Sequence, residues 1–196
     1  MSITKLTTNG LTGSKYDTVS ADNYYMEPIA TQLLGSSQAT VTFSNIPQNY
    51  KHLELRILSK ESGTGTGGPN IVAVLNGDTT HTNYRSHYLF GNGASPGAGE
   101  VQASGYYCLV GNTTPSNGSY TNMFAGMVLN ILDYSNVYKY KTLRSLWGHD
   151  RNGSGEVGTD SSLWMNTAPI TSIVFSVVGG SSFVTNSRFS LYGIRG

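Results

Sequence analysis

From His52 to Lys60 apolar and polar side chains alternate, with Leu53, Leu55 and Ile57 facing one way and His52, Glu54 and Arg56 the other. A period of two is what a half-buried strand requires; on a helix the same six residues would scatter around the circumference. The signal recurs at Met127, Leu129 and Ile131, at Ile173, Phe175 and Val177, and at Phe189 and Leu191, each group bounded by turn formers. Strands are expected at Thr40–Ile46, His52–Lys60, Asn70–Asn76, Tyr84–Phe90, Gln102–Gly111, Asn122–Asp133, Tyr140–Gly148, a short piece at Ser162–Met165, Ile170–Val178 and Ser187–Ile194. No run is long enough for a crossover helix, and the only helical candidate is a turn or two after Pro28. The expected fold is all-β: an antiparallel, jelly-roll-like β-sandwich with an extended N-terminal arm.

Residues 1–38 are read as that arm and 39–196 as the sandwich domain. The arm is rich in Thr, Asn and Gly, alternates poorly and holds too few apolar residues for a core of its own. Ile3, Leu6, Leu11, Tyr24 and Tyr25 are therefore its candidate assembly contacts, expected to bury against other chains.

At 196 residues the chain fits one domain, able to bury roughly 70% of its unfolded surface without cross-links. The single Cys108 cannot form an intrachain disulfide and reads as a small apolar residue on a buried strand. A net charge of +1 offers no electrostatic footprint for nucleic acid or anionic lipid, and no apolar stretch reaches membrane-spanning length. Neither a nucleic-acid nor a membrane partner is expected. Met1–Leu11 lacks the apolar run of a secretory signal, so no signal peptide is expected. Charged residues make up only 12%, against about 25% in an average domain, while Gly and Tyr number 24 and 13. Such a surface suits contact with protein or sugar.

Several segments spell catalytic or metal motifs without their context. Gly93-Ala-Ser95-Pro-Gly97 matches a nucleophile elbow, but Pro96 lacks the backbone N–H that would help form the oxyanion hole. Gly63-Thr-Gly65-Thr-Gly67-Gly68 lacks the Lys-Ser/Thr ending of a phosphate loop and reads as a flexible turn. Asp150, Asn152, Ser154 and Gly155 reproduce half of a calcium loop, yet Ser161 stands where the bidentate Glu belongs, so a hairpin tip is expected; Glu156 and Asp160 keep an irregular calcium site as the alternative. His52, His81, His87 and His149 show no metal-ligand spacing and read as solvent-facing or satisfied. Three Asn-x-Ser/Thr triplets, starting at Asn112, Asn117 and Asn152, read as loop composition. Trp147 and Trp164 are expected in the core, the alternative being that they join Tyr106 or Tyr107 in stacking on a sugar.

Met1–Asn23, Phe43–Arg56, Ile131–Glu156, Leu163–Ile173 and the ending Ser187–Gly196 (SRFSLYGIRG) together resemble a family of small structural proteins of tailed bacteriophages, especially aquatic ones. The resemblance implies a virion component with a β-sandwich, made in the host cytoplasm, and offers no catalytic residues to carry over. The expected function is a non-enzymatic virion protein that decorates or cements the capsid or forms part of the tail or a fibre, homo-oligomeric and latched to other virion proteins by its arm. The competing expectation is a carbohydrate-binding adhesin on the same fold that meets a host-surface glycan. A hydrolase ranks last, because no pair of carboxylates announces itself. No catalytic residue, cofactor or metal is assigned.

Overall fold

The computed structural model describes residues 25–65, 67–102, 106–116, 120–151 and 153–196. Its strands, in chain order, are β1 (Met26–Leu33), β2 (Thr40–Phe43), β3 (His52–Ser59), β4 (Asn70–Leu75), β5 (Tyr84–Gly91), β6 (Pro96–Gln102), β7 (Cys108–Asn112), β8 (Ala125–Leu132), β9 (Lys141–Asp150), β10 (Gly155–Trp164), β11 (Ile173–Val177) and β12 (Arg188–Ile194). Eight form one antiparallel sheet in the order β1-β12-β3-β8-β9-β10-β5-β6, and four form a second in the order β2-β11-β4-β7. The chain passes repeatedly between the two, the habit of a jelly roll.

The alternation seen in sequence is what joins the sheets. Leu53, Leu55 and Ile57 of β3, Met127, Leu129 and Ile131 of β8, and Phe189 and Leu191 of β12 are buried, and so are Ile173, Phe175 and Val177 of β11 opposite them. Phe175 of the small sheet meets Phe189 of the large one with ring centroids 5.7 Å apart. Cys108 is fully buried among these side chains, and burial pushes its thiol pKa up. Trp147 and Trp164 are core residues, as expected.

The segment after Pro28 is a strand rather than a helical turn: β1 pairs antiparallel with β12, from Met26 opposite Ile194 to Leu33 opposite Arg188. Proline is tolerated because β1 is the edge strand and the register shifts between Pro28 and Ala30. Of the expected strand Gln102–Gly111, Gln102 is the last residue of β6 and Cys108–Gly111 belong to β7, which lies in the other sheet; residues 103–105 are outside the described residues. The Gly-rich stretch at 96–102 is β6 itself. Its glycines make room for rings, since a Cβ on Gly97 would lie 2.3 Å from Phe90 Cε1 and one on Gly99 2.6 Å from the Tyr88 hydroxyl. The short piece at 162–165 is the end of the ten-residue β10, whose inward positions include the polar Asp160 and Ser162.

Leu34, just beyond β1, belongs to the core. Deleting residues 2–38 strips the edge strand and a core residue, bares the edge of β12, and is expected to lower stability by about 2–4 kcal/mol with aggregation visible by light scattering.

Candidate functional site

The outward face of the large sheet carries the feature that the core does not absorb. Register places Arg188, Leu58, Gly126, Gly148 and Val157 side by side on β12, β3, β8, β9 and β10. The next outward row runs Ser190, Arg56, Val128, Leu146, Thr159 and Leu89. Two glycines facing each other across neighbouring strands leave two strands bare, with Leu58 on one bank and Val157 on the other, about 14 Å apart at the usual strand spacing. The result is an open, mainly apolar hollow of about 640 Å³. A second hollow of about 360 Å³, walled by Leu89, Pro96, Leu146 and Val157, continues it toward β6.

The apolar side chains here are bare to solvent: Leu58 is 51% exposed, Leu89 54%, Val157 60% and Leu146 63%. Gly126 is not forced by packing, since a Cβ built on it meets only Leu58 Cδ2, at 3.8 Å. Its missing side chain shapes the hollow instead. Polar groups stand at the β12 side. Arg56 bonds Glu54 at 3.0 Å, lies 5.6 Å from the Tyr192 ring centroid and reaches Met26 Sδ at 3.7 Å. The Arg188 guanidinium has no ion-pair or hydrogen-bond partner among the described residues.

The sequence motifs lie elsewhere, in structural roles. Ser95 closes the β5–β6 hairpin, its N–H donating to Asn92 Oδ1 at 2.9 Å. Asp150 ends β9 and Gly155 opens β10, the hairpin expected here, with the Arg151 N–H donating to Ser154 O at 2.6 Å; Asn152 lies outside the described residues. Among the described residues no three His, Cys, Asp or Glu side chains group as metal ligands. His81 stacks on Tyr107 at 4.5 Å, His87 lies 3.5 Å from Glu100, and His52 Nδ1 accepts from the Asp133 N–H at 2.9 Å.

His149 departs from the expectation that each histidine is solvent-facing or satisfied. Its ring is buried, neither nitrogen has a hydrogen bond among the described residues, and Glu156 Oε2 is 3.8 Å away. Burial, with the Arg151 charge second, holds its pKa below the usual histidine value. Gly68 closes over the ring, because a Cβ there would lie 2.6 Å from Nε2. The Gly-rich 63–68 segment thus ends as a cover on His149. Asp160 is buried beside Ser145, whose hydroxyl donates to it at 3.2 Å, and burial raises its carboxyl pKa to about 6. Both groups belong to the interior of the sandwich. Tyr106 and Tyr107 are half-buried, and with both tryptophans in the core they present no shared stacking platform.

Of the expected arm contacts, Ile3, Leu6, Leu11 and Tyr24 lie outside the described residues. Tyr25 is 81% exposed, and its carbonyl accepts from the Arg195 N–H at 3.1 Å. The bare apolar face had no place in the sequence reading, although Leu58, Val128 and Leu146 carry a signal: each puts an apolar side chain at a position that alternation reserves for solvent.

Fold and face together define a class, an all-β sandwich of two antiparallel sheets with one uncovered apolar sheet face. No protein-family model matches the sequence, and no curated protein matches it.

Proposed function

We propose that the protein is a non-enzymatic structural subunit of a tailed-bacteriophage virion, which decorates or cements the capsid or forms part of the tail or a fibre and joins neighbouring subunits through its N-terminal arm. The observation that carries this is the continuous apolar outer face from Leu58 to Leu89. Soluble monomers seldom leave such a face uncovered, and protein–protein contact is its usual use. The virion setting draws on the resemblance of Met1–Asn23 and Ser187–Gly196 to phage structural proteins. Immunogold labelling of purified particles with antibody against the sandwich is expected to mark one repeated position. Particles free of label, with all the protein left in the lysate, would overturn the proposal.

One observation favours a carbohydrate-binding reading: Tyr138 and Tyr140, between β8 and β9, are 88% and 53% exposed. Binding on a glycan array that is abolished by Tyr138→Ala would support it over the assembly reading.

A further inference from the structure

We infer that the outer-face hollow is the receptor for residues 3–11 of a second copy's N-terminal segment, with Ile3, Leu6 and Leu11 as the inserted side chains. This rests on the arm-latch reading and names the surface the arm grips.

Dimensions carry the first part of the argument. The two hollows run across the strands from Tyr192 on β12 to Pro96 on β6. Seven neighbouring strands give six spacings, so the trough is about 29 Å long. Ile3 and Leu11 are eight residues apart, a span of about 26 Å when extended. An extended segment laid across a sheet has no ladder partners for its carbonyls. The trough supplies donors at its β12 end: Arg188, which has no partner among the described residues, with Arg56, Ser190 and the Tyr192 hydroxyl beside it.

Direction carries the second part. The β1–β12 ladder runs from Leu33 opposite Arg188, at the glycine row, to Met26 opposite Ile194, and the bond from Arg195 N–H to Tyr25 O extends it one residue further. Up to Tyr25, the first described residue, the chain therefore heads away from the Gly126–Gly148 row. Twenty-four residues reach up to about 80 Å, against a diameter of roughly 40 Å for a compact body of this size. The segment is long enough to cross to a neighbour, and its last described residues head away from the middle of its own trough.

The test uses full-length protein in which a photoreactive benzophenone side chain replaces Leu6, mixed with a heavy-nitrogen-labelled full-length copy and irradiated. Expected are crosslinks joining light residue 6 to heavy peptides that contain residues 56–58, 126–128 or 146–157. In a heavy copy carrying Gly126→Leu, which fills the hollow, their yield is expected to fall by about tenfold. A parental near-UV circular dichroism spectrum for that variant, whose added Cβ meets only Leu58 Cδ2 at 3.8 Å, separates occupancy from misfolding. Crosslinks confined to one chain, links to other surfaces, no links, or a yield indifferent to Gly126→Leu would each overturn the inference. Label on virions together with any of these results would sink the inference alone; absence of the protein from virions would sink the underlying reading.

Discussion

Leu55→Asp is expected to lower the free energy of unfolding by about 3–5 kcal/mol, the largest effect of any single substitution considered for this chain. Leu55 lies at the centre of the large sheet's inner face, paired in register with Leu191 on β12 and Leu129 on β8. All three are buried, and Phe175 and Phe189 belong to the same core. A carboxylate placed there loses its water among apolar side chains; it either ionises at high cost or stays protonated and leaves part of the leucine's space empty. Urea denaturation followed by tryptophan fluorescence reads the change, since Trp147 and Trp164 are both in the core. Stability equal to the parent would mean that the inner face is wrongly assigned.

Asp160→Asn is expected to stabilise the protein by about 3 kcal/mol above neutral pH and by almost nothing near pH 3. Burial raises the folded carboxyl pKa to about 6, against an ordinary value of 3.8. Below about pH 3 both states hold the proton and the group costs nothing. As pH rises toward 6 the unfolded chain gives up its proton first, which favours unfolding; above 6 the loss is complete, and two pKa units correspond to about 3 kcal/mol. Glu27, Asp78 and Asp133 are held below their usual values, by hydrogen bonds from Arg195, Trp164 and Lys139 among others, and work in the opposite direction. The difference between variant and parent, measured at both pH values, isolates Asp160. A gain independent of pH would show that the buried carboxylate is not its source.

Both substitutions lie on inward strand positions, yet only one was legible in the sequence. Leu55 sits in an alternating run whose period declares its face, because side-chain direction along a strand is a local property of the backbone. Asp160 sits in Gly155–Trp164, where Gly, Asp and Ser occupy inward positions and the period is silent; its strand exists because β9 and β5 pair along both sides of it. Pro28 misled the reading in the same way. It suggested a helix start, while the free edge of β12 recruited Met26–Leu33 as a strand.

Local pattern was enough to show that this chain is all-β, that the alternating apolar residues of its strands face the core, and that Cys108 and the two tryptophans lie within it. Those are consequences of pattern and hydrophobicity, which act residue by residue. Which strands are neighbours was decided only by the tertiary structure, and with it the candidate site. Gly126 and Gly148 are 22 positions apart, and nothing local marks them as a pair; register sets them side by side with Leu58 and Val157 on either bank. The hollow is a property of pairing across strands, and pairing depends on long-range contacts that no short window of residues encodes.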